Sequence, residues 1–308
     1  MIIVKIFQGP GNQLFQYAYG LAASKRIGTE LKLDLSWFND NSDHRAYVLD
    51  RFNIDVEVAT KAEIEYTRTC NGRNIFEYRY NLLRNALAAR HRKAVVKEDI
   101  SYFDAALKQP YENSHIEGYF SSELFFREFE DEVKKQLVFA KKPPAASLQI
   151  MEQMNSENAV ALSIRRGDFL KYPLHNTCSV EYYQRAIEKM QESIEKPKLF
   201  IFSDDMDWVK ANMKFDLPYV LVPEMTDHME HIRLMENCRF HIIPNSTFSW
   251  WGAWLSTPKR VVAPQHWLNP DREIHLKEFG KWVETSHTVP ESWVRIPNCL
   301  EGEQLMHE

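Results

Sequence analysis

Residues 240–254 read Phe-His-Ile-Ile-Pro-Asn-Ser-Thr-Phe-Ser-Trp-Trp-Gly-Ala-Trp, and the order of residue types here decides the fold. Phe240–Ile243 is a short apolar run of the kind that forms a buried strand. Pro244 cannot donate to a strand ladder, while Asn245 and Ser246 are residue types favoured at helix N-caps. The run that follows, with Trp250, Trp251 and Trp254, is then a helix, and such aromatics are more often core than ligand platform. Strand, polar turn, helix is the repeating unit of an α/β fold.

The same unit recurs outward in both directions. Ala159–Ile164 (AVALSI) opens onto Arg165-Arg166-Gly167-Asp168, and Lys198–Phe202 (KLFIF) opens onto Ser203-Asp204-Asp205 before another helix. Val180–Ile194 is amphipathic, with Tyr183, Ala186, Ile187 and Met190 on one side. Tyr219–Val222 and Arg260–Ala263 add strands, and His228–Cys238 a helix. At the other end of the chain, Ile2–Phe7 runs into Gly9-Pro10-Gly11-Asn12-Gln13, then a helix over Gln13–Arg26 with Leu14, Tyr17, Ala18 and Leu21 on one face. A second strand, Leu31–Leu35, carries Asp34 near its end. Alternation of this kind predicts parallel sheets wrapped on both faces. From about Ser36 to Lys142 the pattern is less regular, and Lys141-Lys142-Pro143-Pro144 interrupts both helix and sheet. Domains over 1–145 and 146–308 are expected, with no internal repeat.

Composition narrows the function classes. A chain of 308 residues, 44% hydrophobic, suits one large or two medium domains. A formal net charge of -5 provides no global basic field for nucleic acid or an anionic membrane. Cys70, Cys178, Cys238 and Cys299 are widely spaced with no C-x-x-C pair, which suits buried thiols in a reducing compartment. No charged leader precedes an apolar core, and no apolar run reaches the roughly 18 to 20 residues of a membrane span, so a cytoplasmic location is expected.

Ligands of parallel sheets sit beyond the carboxyl ends of the strands, so the polar loops form a set. Two guanidinium groups leave the sheet at Arg165 and Arg166; one suits pairs of phosphate oxygens while the other braces the loop, and the alternative is a surface salt-bridge cluster. Asn245, Ser246 and Thr247 either cradle a phosphate with the first helix N–H groups or simply cap the helix. Asp205 and Asp207 imitate a D-x-D metal pair, but acidic residues at a helix start are explained by the helix dipole, and no metal site is expected. Asp204 is the carboxylate expected to reach a base or ribose. The N-terminal turn lacks the third glycine of a dinucleotide fingerprint, its place taken by Leu14, and lacks the G-K-[ST] of a P-loop. It is expected instead to expose Asn12 and Gln13 to sugar hydroxyls or a phosphate.

Four motifs in order, Gly9 to Ala18, Arg165 to Asp168, Phe202 to Asp205 and Asn245 to Trp254, resemble the bacterial α-1,2-fucosyltransferases of glycosyltransferase family 11. The resemblance runs from Ile3 to about Trp267. It implies two Rossmann-like domains facing a cleft in a glycosyltransferase-B fold, GDP-L-fucose as donor rather than any bound cofactor, and inversion without a metal. It also implies a β-galactoside acceptor, free or lipid-linked, and no nucleic acid. In related protein O-fucosyltransferases the Arg of an H-x-R-type motif contacts the donor diphosphate. That position maps onto Arg165, with Arg166 beside it, while their Gly/Asn loop resembles Gly11-Asn12-Gln13 and their Ser-rich turn Asn245-Ser246-Thr247. The family's usual His is Ser163 here, a residue limited to a hydrogen bond.

Arg165, Asp168 and Asn12 are thus the expected catalytic residues, and Gly11, Gln13, Ser163, Arg166, Asp204, Asn245, Ser246 and Thr247 the expected donor-binding ones. Asp168 is either the general base or an orienter of arginine, and a path in which the departing phosphate takes the proton needs no base at all. A different linkage and a silent nucleotide-sugar-binding module are the rival functions. Arg84, Arg90, Arg92 and Lys93 either face a membrane that carries the acceptor or cover a solvated helix face.

Overall fold

A computed structural model describes residues 1–39, 45–69, 75–87, 95–98, 105–108, 110, 112–155, 158–172, 174–175, 178–269 and 285–306. The chain divides into two units. The first comprises Met1–Ala140 with Lys281–His287, the second Lys141–Gly280 with Thr288–Glu308. A single boundary between 145 and 146 makes no provision for this returning segment. Part of its hold on the first unit is the Ser122 hydroxyl, which donates to the His287 carbonyl at 2.7 Å.

In the first unit the strands are β1 (Ile2–Lys5), β2 (Leu31–Asp34), β3 (Glu57–Val58), β4 (Val95–Lys97) and β5 (Ser114–Glu117). They form one sheet in the order β3-β2-β1-β5-β4, and all four pairings among the described residues are parallel. Helix α1 (Pro10–Ile27) is longer than the expected Gln13–Arg26 and starts three residues earlier. Pro10 causes this, because its fixed φ suits the first helical position and its missing N–H is not needed there. Gln13 through Ser24 are all buried, so α1 is enclosed on all sides rather than on the one expected face. Gly20 allows this: a Cβ there would lie 2.7 Å from Val4 Cγ2 on β1. The irregular middle also contains helices α2 (Lys61–Thr69), α3 (Ile75–Leu87) and α4 (Glu130–Gln136).

The second unit starts with α5 (Ala145–Asn155) and β6 (Asn158–Ile164), then α6 (Val180–Gln191), β7 (Pro197–Ser203), α7 (Met206–Asn212), β8 (Tyr219–Leu221) and α8 (Met229–Glu236). It continues with β9 (Phe240–Ile242), α9 (Thr247–Leu255), β10 (Arg260–Pro264) and β11 (Val294–Ile296), the last of which the sequence did not signal. The strand order is β8-β7-β6-β9-β10-β11, again parallel throughout. That is the doubly wound dinucleotide-fold order, in which the chain steps outward one way and then returns to step the other.

Alternation along β6 sorts its side chains to two cores. Val160, Leu162 and Ile164 pack with Tyr182, Tyr183, Ala186 and Met190 of α6 and Val209 of α7. Ala159 and Ala161 pack on the opposite face with Ile150 and Met154 of α5 and Leu234 and Met235 of α8. The fold is therefore α/β with two Rossmann-like units, as the strand–turn–helix alternation predicts. Cys178 and Cys238 are buried, Cys299 is only half-buried, and Cys70 lies outside the described residues. No helix among the described residues is long and apolar enough to cross a membrane.

Candidate active site

Where a doubly wound sheet reverses, the loops leaving two adjacent strands diverge and open a crevice at their carboxyl ends. In the second unit this happens between β6 and β9, where Val160, Ala161 and Leu162 stand in register with Phe240, His241 and Ile242. The loop from Arg165 and the turn from Pro244 leave side by side, and Ser203 at the end of β7 is in register with Ile164.

The two adjacent arginines behave differently. Arg166 is 1% exposed. Its Nε donates to Asp205 Oδ2 at 3.0 Å, its backbone N–H donates to Asp204 Oδ1 at 2.9 Å, and its guanidinium lies 3.6 Å from the Trp208 ring centre. Arg165 keeps 32% of its side chain exposed, with Nη1 2.8 Å from Asp204 Oδ2. Its Nη2 donates to Asp168 Oδ1, and the Phe169 ring lies 5.2 Å from the guanidinium carbon. Arg166 braces the loop and Arg165 faces solvent. Gly167 makes room for the arrangement: its φ is +21°, and a Cβ would sit 2.2 Å from Asp204 Oδ2.

Ser246, not Asn245, occupies the N-cap position of α9, and its side chain makes no capping hydrogen bond. The N–H groups of the first turn therefore remain suited to an anion, with the half-buried Thr247 at the first position. Asn245 is buried, and its Nδ2 donates to the carbonyls of His175 and Trp267, both at 2.8 Å. The amide nitrogen expected at the donor is thus committed to holding the turn. Tyr182 on α6 supports the same strand end by donating to the Ile243 carbonyl at 2.5 Å. Ser163 is buried, its Oγ 2.6 Å from Ser249 Oγ, so its hydroxyl ties β6 to α9.

Asp205 caps α7, accepting from the Trp208 N–H at 3.2 Å. Asp207 stands in the first turn of that helix and pairs with Lys210 at 3.0 Å. Among the described residues no three His, Cys, Asp or Glu converge as metal ligands. Asp204, expected at a base or ribose, has both oxygens on the arginine loop, one on the Arg166 N–H and one on Arg165.

The first unit reverses between β1 and β5, both of whose pairings with each other start at Ile2 and Ser114. Gly9 is the N-cap of α1, and a Cβ there would meet Arg45 Nη1 at 2.8 Å. Gln13 is not exposed, contrary to expectation. Its Nε2 donates to the Gln8 and Ala46 carbonyls, both at 2.9 Å, and its Oε1 accepts from the Val48 N–H at 3.0 Å. The earlier helix start turns it inward, where it fastens the 45–48 segment. Gly11 is likewise buried, while Asn12 stays half-exposed, and no hydrogen bond engages its side chain among the described residues. Asp34 is fully buried beside His115 Nε2 at 2.8 Å and accepts from the Ser36 N–H at 2.9 Å. Burial opposes its charge, but these hydrogen bonds outweigh it and hold the carboxyl down at about 2.

Sequence inspection missed Trp208 beneath Arg166, Ser249 against Ser163, and Arg45 beside Gly9. The spacing of Trp208 from Asp205, one helical turn, is a usable signal for the first. Arg45 comes from the irregular segment and carries no signal.

A profile of glycosyl transferase family 11 matches residues 1–284. An alpha-1,2-colitosyltransferase of Escherichia coli is 28% identical over 312 residues, covering 96% of this chain and 99% of the relative. The O-antigen biosynthesis glycosyltransferase WbnK of Escherichia coli is 29% identical over 301 residues, covering 89% and 97%. The crystal structure of fucosyltransferase NodZ from Bradyrhizobium superposes with a TM-score of 0.50 at 16% identity, over 84% of this chain and 94% of that one, a likeness of fold.

Proposed function

This chain belongs to glycosyl transferase family 11, and from that premise we propose that it transfers L-fucose from GDP-fucose to the 2-hydroxyl of a terminal β-galactoside in a bacterial surface glycan. One observation carries the donor half of the proposal: a solvent-facing guanidinium, Arg165, and a helix N-terminus without a side-chain cap leave adjacent strands of one sheet.

The chemistry needs positive charge where GDP departs. Arg165 and the N–H groups at the start of α9, with Ser246 and Thr247, supply it, and such stabilisation is worth about 3 kcal/mol per donor. Inversion breaks the anomeric C–O bond to the phosphate as the acceptor oxygen attacks the opposite face. Asp168, paired with Arg165, is assigned to orienting that arginine. The acceptor proton leaves on the attacked face, to water there, since the departing phosphate stands on the other face of the ring, and no metal takes part. Asn12 is assigned to the reacting sugar or acceptor hydroxyl, since an amide both donates and accepts.

A second donor deserves comparison because the colitosyltransferase relative aligns over 96% of the chain. Colitose is L-fucose without its 3-hydroxyl. The purified protein is incubated with GDP-fucose or GDP-colitose, a panel of β-galactosides, and EDTA, and product linkage is read by NMR. A fucosyl-(α1→2)-galactoside formed at an undiminished rate in EDTA supports the proposal. Transfer of colitose alone, another linkage, or strict dependence on added Mg²⁺ overturns the corresponding part.

A further inference from the structure

Phe76, Tyr80, Leu83 and Leu87 recur along α3 at steps of four, three and four, so they share one stripe of the helix. Their exposures are 80%, 64%, 61% and 78%. Single apolar side chains on a surface are ordinary, but a continuous stripe of them marks a contact surface.

The charge around the stripe selects the partner. From Arg68 to Lys97 the sequence holds eight Lys and Arg and a single acidic residue, Glu77, in a chain whose net charge is -5, although Arg73, Arg90, Arg92 and Lys93 lie outside the described residues. Arg79, next to Tyr80 on α3, is itself exposed. A second copy docking on this stripe would bring like charges together, which is unfavourable. A nucleic acid would satisfy the arginines and leave the leucines in water. An anionic lipid surface satisfies both, taking the apolar stripe at the acyl boundary and the cations at the headgroups. The helix has 13 residues, about 20 Å of length, which is enough to lie in an interface and too little to cross a bilayer.

We infer that α3 is an interfacial membrane-binding helix, seating Phe76, Tyr80, Leu83 and Leu87 in the outer acyl layer of an anionic phospholipid leaflet with Arg79 at its phosphates. The inference stands apart from the choice of donor, acceptor and linkage.

The full-length protein is sedimented with vesicles of phosphatidylcholine alone or mixed equally with phosphatidylglycerol, without any nucleotide sugar. Binding to the anionic vesicles is expected to be at least about tenfold tighter and to weaken with added salt. Leu83→Ser combined with Leu87→Ser should abolish most of it with no change in the far-ultraviolet melting curve. In case that variant folds poorly, Tyr80→Trp serves separately, its emission shifting to the blue when anionic vesicles are added. Equal binding to both vesicles, undiminished binding by the double variant, or unmoved Trp emission overturns the inference. So does a dimer in sedimentation velocity that the double variant dissociates.

Discussion

Nη1 of Arg165 stands 2.8 Å from Oδ2 of Asp204, and Nη2 of the same guanidinium is taken by Asp168. The solvent-facing Arg165 at the reversal of the second sheet is therefore held between two carboxylates. A diphosphate approaching it competes with them.

Arg165→Ala should weaken GDP binding and lower turnover by about a hundredfold or more, the usual loss for one charge-stabilising donor. The pairs it makes are about one-third exposed and contribute little to folding, so the melting temperature should move by only a degree or two. Arg165→Lys keeps the charge but loses the planar fork, and it should remain impaired. Calorimetry with GDP and initial rates check both; an Ala variant with normal kinetics contradicts the assignment.

Asp168→Asn separates the two roles proposed for that residue. As an orienter that competes with phosphate, its loss should tighten GDP binding severalfold and cost no more than about tenfold in turnover. As a general base, its loss would leave GDP affinity unchanged and remove about two to four orders of magnitude from the rate. The split between affinity and turnover decides.

Asn12 and Gln13 adjoin in sequence yet should fail differently. Asn12→Ala should cut turnover with near-normal GDP affinity and an unaltered melt, as a contact made mainly in the transition state does. Gln13→Ala strips the three hydrogen bonds of a buried amide from the 45–48 segment and its neighbours, and should cost about 2 to 4 kcal/mol of stability. Urea titrations beside kinetics distinguish them, and a destabilised Asn12→Ala with intact turnover would make that residue structural.

His241 sets a pH limit. It is fully buried on β9, and burial pushes its imidazole down to about 4 although the Cys238 carbonyl at 3.0 Å favours the charged form. A histidine whose folded pKa lies below its unfolded value of about 6.5 contributes full stability above the latter and loses it as pH falls. Stability should decline from about pH 6.5 toward 4, by up to about 3 kcal/mol from this residue. His241→Gln should flatten the slope in that window in denaturant titrations; an unchanged slope rules out His241 as its source.

The second unit was legible because its central strands are buried on both faces and read as unbroken apolar runs, as Ala159–Ile164 does. The middle of the first unit was not. β3 has two residues, and β5 is Ser-His-Ile-Glu, with Ser114 and His115 buried despite their polarity. His115 is inside because Asp34 receives it, a pairing across 81 residues that no local pattern announces. At the candidate site, residue types pointed to the polar loops at the strand ends but not to which atoms stay available. Asn245 and Gln13 spend their amides on backbone carbonyls, and those carbonyls are set by tertiary structure alone.

The strand order has a kinetic side. β6, β7 and β8 pair with near neighbours in the chain, but Val160 must find Phe240, 80 residues on, before the Arg165 loop and the start of α9 come together. Such long-range pairings are slow because loop closure is costly before any contact rewards it. A nucleotide that needs both loops has nothing to grip until that crossover is made. It should leave the refolding rate untouched and slow unfolding, a split that stopped-flow measurements with and without GDP would reveal.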